Sequence, residues 1–100
     1  MLPKNYSEFQ HTLSKALPPD DWPEALKALW FDAKGDWESS HNIAQDMHNQ
    51  IGSWMHAYLH RKEGDKFNAG YWYRQAGRNY PQVSLEAELR EMVEFVLNRV

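Results

Sequence analysis

"HAYLHRKEGDKFNAGYWYRQAGRNYP", from His56 to Pro81, decides how the chain folds. It holds two segments of helical spacing hinged on Gly64-Asp65 and closes on Asn79-Tyr80-Pro81. Glycine readily takes the left-handed conformation that ends a helix, and an aspartate after it caps the next one. Beyond the hinge, Ala69, Tyr73 and Ala76 recur at spacings of four and three, which is one face of a helix. The stretch therefore predicts a helical hairpin across the Gly64-Asp65 corner.

Moving outward, a shift of twenty-nine residues lays Ala28 on Ala57, Gly35 on Gly64 and Asp36 on Asp65. An internal repeat of this kind predicts a second hairpin upstream. Its first helix starts in Asp20-Asp21-Trp22-Pro23-Glu24, where proline and acidic side chains suit a first turn, and carries Leu26, Leu29 and Trp30 to Gly35. Asp36 caps a third helix with the stripe Trp37, Ser40, Ala44, Met47 and Ile51. Gly52-Ser53 reads as its break, with Ser53 capping a fourth helix that ends at Gly64. Asp65 caps the fifth, which stops at Gly77.

Two flanking helices complete the pattern. Phe9, Leu13 and Leu17 are four apart over Tyr6–Leu17, ahead of the stop at Pro18-Pro19. Ser84 opens the last helix, whose apolar face is Leu85, Leu89, Met92, Val93, Val96 and Leu97, with Glu86, Glu88, Glu91 and Glu94 expected in solvent. Period-two alternation persists nowhere, so strands are not expected. The expected fold is all-α: a compact array of about six helices in one domain, residues 1–100, with a repeat-like centre at 22–81, an N-terminal helix within 1–19 and a C-terminal cap helix at 84–99.

Ala57, Gly64, Asp65, Ala69, Tyr73, Ala76 and Pro81 follow a pattern that resembles the tetratricopeptide helix-turn-helix repeat. The first copy, Ala28, Phe31, Gly35, Asp36 and Ser40, departs from it, with Ala44 where the later aromatic would stand and a shorter connection onward. The resemblance implies two tetratricopeptide-like hairpins with a peptide-gripping concave groove, and places Trp54, Tyr58 and Arg61 on that groove. The wording "HAYLHRKEGDKFNAGYWYRQAGR", with "LWFDAKGDWESSHNIAQD" upstream, also resembles a family of small bacterial proteins. That second resemblance implies no activity.

Composition narrows the function. Of 100 residues, 42% are hydrophobic and fourteen in every hundred are aromatic, the make-up of a folded globule. A net charge of −3 argues against nucleic-acid binding, which needs a basic face. The absence of cysteine excludes disulfides and thiolate metal sites. No stretch reads as a signal peptide or a membrane span, so a cytoplasmic protein is expected.

His56 and His60, four apart, project side by side as two ligands of one metal ion would, with Glu63 a turn further. The spacing is not the HExxH motif, because Ala57 follows His56. The other reading makes both histidines polar residues of the helix seam, near Ala69 and Tyr73 and bonded to Tyr73 or to a backbone carbonyl. His41 and His48, seven apart, either converge on the same pocket or lie half exposed at the stripe edge. Trp54, Tyr58 and Arg61 either form a binding surface, with Arg74 and Arg78 adding basic charge suited to a carboxylate or phosphate, or Trp54 and Tyr58 pack under the third helix and the arginines are solvated charge. Within Tyr71-Trp72-Tyr73 at least one ring must leave the core, and Tyr71 is that one. No phosphate loop, nucleophile elbow or dinucleotide fingerprint occurs.

The leading expectation is a non-catalytic interaction module that binds a protein, peptide or acidic ligand around Trp54, Tyr58, Arg61, Tyr71, Arg74 and Arg78, with self-association into a homodimer through the last helix. No cofactor is expected on that reading. The rival is a small metal- or ligand-binding protein, extending to hydrolytic chemistry, that holds a divalent metal through His56, His60, Glu63, His41 and His48.

Overall fold

The structure is a computed structural model and describes residues 2–100. Its helices are α1 (Tyr6–His11), α2 (Glu24–Ala33), α3 (Trp37–Ala44), α4 (Gln50–Glu63), α5 (Lys66–Gln75) and α6 (Leu85–Leu97), with a short 3-10 turn at Thr12–Ser14. The fold is all-α, and the described residues contain no strand.

Two corners of the same design organise it. After α2, Gly35 at φ 84° passes the chain to Asp36; after α4, Gly64 at φ 90° passes it to Asp65. A side chain is strained in this left-handed region, so glycine is the residue that turns the chain there. Asp36 N–H reaches back to the Phe31 carbonyl and Asp65 N–H to the His60 carbonyl, each at 2.9 Å. Each aspartate then accepts from the backbone N–H three residues on, Ser39 at 3.1 Å and Asn68 at 3.2 Å. The consequence is two antiparallel hairpins, α2 on α3 and α4 on α5.

α4 is the central element, touching α5, α3, α6 and α2. Trp30, Trp54, Met55, Leu59, Tyr73, Met92 and Val93 meet in one core, which α6 closes against α1, α2 and α4. The radius of gyration is 12.6 Å, near the ~13 Å of a compact chain this long. No described helix is long and apolar enough to cross a membrane.

Three expectations need correction. The first helix ends at His11 rather than Leu17, which is 68% exposed; the backbone tightens into a 3-10 turn, and Lys34 Nζ donates to the carbonyls of Leu13 in that turn and Lys15 just after it. The break between α3 and α4 falls at 45–49, not at Gly52-Ser53, and the cap of α4 is Asn49, which accepts from Gly52 N–H at 2.8 Å. Gly52 instead lies in the first turn of α4, where a Cβ would stand 2.3 Å from the Met47 carbonyl oxygen. Met47 within the break and Ile51 just after it both pack against the core, so the apolar spacing continues through a non-helical turn. Finally, Glu88 is buried, not solvated.

Candidate metal centre

α3 contributes His41, and α4 contributes His56 and His60. The two helices are pinned by Trp37, whose indole N–H donates to the Leu59 carbonyl at 3.0 Å. One turn on, His41 stacks against the Trp37 ring with centroids 4.7 Å apart. On α4, His56 and His60 stack at 5.0 Å, and Trp72 of α5 continues the stack, 4.2 Å from His56. His41 meets both histidines edge-on, at 4.9 and 6.1 Å between centroids.

The three rings bring one nitrogen each to within 4.8 Å of the others, and His41 Nε2 lies at hydrogen-bond distance, 3.2 Å, from His56 Nε2. Zinc–nitrogen bonds of about 2.0–2.1 Å in a tetrahedron hold ligand nitrogens roughly 3.4 Å apart, so side-chain adjustments of about an ångström suffice to close this set on one ion. Burial, with the neighbouring His41 and His60 charges adding to it, depresses the His56 pKa from 6.5 to about 4. His56 is therefore a neutral ring at neutral pH, the form that binds metal.

Of the five residues expected at a metal, three converge. His48 is exposed and outside the cluster, because the turn at 45–49 takes it away from the face that bears His41. Glu63 stands beside His60, its Oε1 3.7 Å from His60 Nδ1, with a half-exposed side chain. The seam expectation also changes: Tyr73 donates to Glu88 at 2.6 Å, and the neighbours of His56 are His41, His60 and Trp72.

The expected peptide groove does not form from Trp54, Tyr58 and Arg61. Trp54 and Tyr58 are buried in the core, because both lie on faces of α4 that its neighbours cover. Tyr58 donates to buried Asp32 at 2.9 Å, and Lys62 reaches the other oxygen of that carboxylate at 3.0 Å. Glu88 accepts from Trp54 Nε1 at 3.0 Å, from the Tyr73 hydroxyl and, on its other oxygen, from Arg61 at 2.7 Å. The Arg61 guanidinium also donates to the Val83 carbonyl. Arg78 lies over the Trp54 ring at 3.5 Å and pairs with Glu91, at the edge of a cleft of about 450 Å³ between α5 and α6. Tyr71 and Arg74 are exposed on α5.

Two buried carboxylates, Asp32 and Glu88, escaped the reading of the sequence although a signal existed. Asp32 follows Ala28 and Leu29 at spacings of four and three, and Glu88 stands three after Leu85 and four before Met92. Both fall on apolar stripes, where an acid is buried only with partners. No family model matches the chain, and no curated protein or solved structure matches it.

Proposed function

We propose that this is a small helical protein that binds a divalent transition metal through His41, His56 and His60. One observation carries the reading: three imidazoles from two helices present nitrogens within 4.8 Å of one another, walled by Trp37 and Trp72. An all-imidazole set favours zinc, copper, nickel or cobalt over magnesium or calcium, which prefer oxygen. Three protein ligands leave a fourth position for water or an exogenous ligand, the arrangement from which hydrolytic chemistry starts. Tetratricopeptide-like pairing of the hairpins, kinship with small bacterial proteins of this pattern and a cytoplasmic setting belong to the same proposal.

The test is a thermal melt of metal-stripped protein with and without zinc, nickel or cobalt, alongside His41→Ala and His56→Ala/His60→Ala. At a hundredfold excess over the dissociation constant, binding stabilises the fold by about 2.7 kcal/mol. A rise in Tm that is metal-specific and lost in the variants is expected; flat melts across all three metals would overturn the reading. They would leave a second one, the interaction module, now resting on the outer face of α5. There Phe67 is 84% and Tyr71 45% exposed, four apart and followed by Arg74, a surface suited to an acidic peptide or protein partner.

A further inference from the structure

The two corners match in backbone, but not in the residue whose carbonyl closes them. In the first, the Asp36 N–H is received by Phe31; in the second, the Asp65 N–H is received by His60. Phe31 needs only packing, and its ring meets Trp30 edge-on at 5.4 Å. His60 brings a polar ring to the same position, and its Nδ1 is buried without a hydrogen-bond partner. A buried polar atom left in that state costs stability, so packing alone does not account for the substitution.

What faces that nitrogen is carboxylate. Asp65 Oδ2 lies 3.9 Å away and Glu63 Oε1 3.7 Å away. The two acids differ in how they are held. Glu63 is a half-exposed side chain on the last turn of α4. Asp65 is fixed by the cap of α5: Oδ1 receives the Asn68 N–H, and Oδ2 the Asn68 side-chain amide at 2.6 Å. Left-handed Gly64 sets Asp65 beside the imidazole rather than along the helix axis. A metal-bound histidine characteristically gives its other ring N–H to a carboxylate, which fixes the tautomer and the ring direction.

We infer that Asp65 is a positioning residue of the histidine site: its Oδ2 receives the His60 Nδ1 proton and so turns His60 Nε2 toward the metal. The inference rests on the metal-binding reading above. It gives the α4–α5 corner a second task beyond ending one helix and starting the next, and that task is absent from the α2–α3 corner, where Phe31 has no proton to give.

The test is Asp65→Asn, with Glu63→Gln beside it. Asparagine caps a helix about as well as aspartate, so the melt in metal-free buffer should stay close to the natural chain. The amide loses the carboxylate's charge and half its acceptor capacity. Zinc or cobalt affinity should fall by roughly 10- to 100-fold in Asp65→Asn and little in Glu63→Gln. Nitrogen-15 NMR of the imidazoles should find the proton of His60 on Nδ1 in the natural chain and a shifted tautomer balance in Asp65→Asn, a readout that a merely structural role would not move. Unchanged affinity and tautomer in Asp65→Asn, or a loss confined to Glu63→Gln, would overturn the inference and leave the metal site standing. A natural chain that binds neither metal would overturn both.

Discussion

Glu88 shows how much one side chain decides. Its carboxylate is the meeting point of Trp54 from α4, Tyr73 from α5 and Arg61 from α4, so three donors depend on one acid. Burial and the adjacent acid push the Tyr73 hydroxyl pKa upward, which keeps it a donor throughout the working pH range. Glu88→Ala would strand a part-buried guanidinium, a buried indole N–H and a buried phenol. The expected loss is about 1–3 kcal/mol for each buried donor left without a partner. Glu88→Gln, which keeps shape and one acceptor, should lose less. Urea denaturation of both checks this, and equal stability of Glu88→Ala and the natural chain would show the network to be idle.

At the scale of elements, boundaries follow backbone chemistry more than apolar spacing. The α3–α4 connection turns where Asn49 caps the Gly52 N–H, and it comes so close to the start of α4 that only a hydrogen fits on Gly52. Gln50 fastens the same end of α4 by donating to the Ala76 carbonyl at 2.9 Å, which ties it to the end of α5. Gly52→Ala improves helix propensity in isolation but drives a methyl into the Met47 backbone. The variant should lose about 1–3 kcal/mol, the usual cost of overpacking, read as a lower denaturation midpoint at unchanged slope. A gain in stability would show that the connection gives way freely.

For the molecule as a whole, the histidine cluster links stability to pH. In the unfolded chain His56 takes its proton near 6.5, but in the fold only near about 4, chiefly because burial disfavours the charged ring. Between those values protons bind the unfolded state preferentially. Stability of the metal-free protein should therefore decline as pH drops from about 6.5 to about 4, with no further loss from this ring below that. His56→Gln should flatten that part of the profile, and an identical slope in the two proteins would assign the acid sensitivity to other groups. On the metal-binding proposal, His56 stays available as a ligand down to about pH 4, where its ring takes a proton and affinity should fall.

The sequence by itself determined the helical class, the two glycine–aspartate corners and the faces of α2, α5 and most of α6, because those depend on local backbone preference and on periodicities within a single element. It also brought His56 and His60 to one face of α4, since residues four apart on a helix are neighbours. Only the tertiary structure decided that His41 joins them and His48 does not. That choice depends on where the chain leaves α3, and apolar spacing runs unbroken from Ala44 through Met47 to Ile51 whether or not a turn intervenes. The same holds for Trp54 and Tyr58, which read as binding aromatics until their polar atoms meet Glu88 and Asp32. Tyr58 and Asp32 lie twenty-six residues apart in the chain and Trp54 and Glu88 thirty-four, beyond the reach of any local pattern, and only packing brings them together.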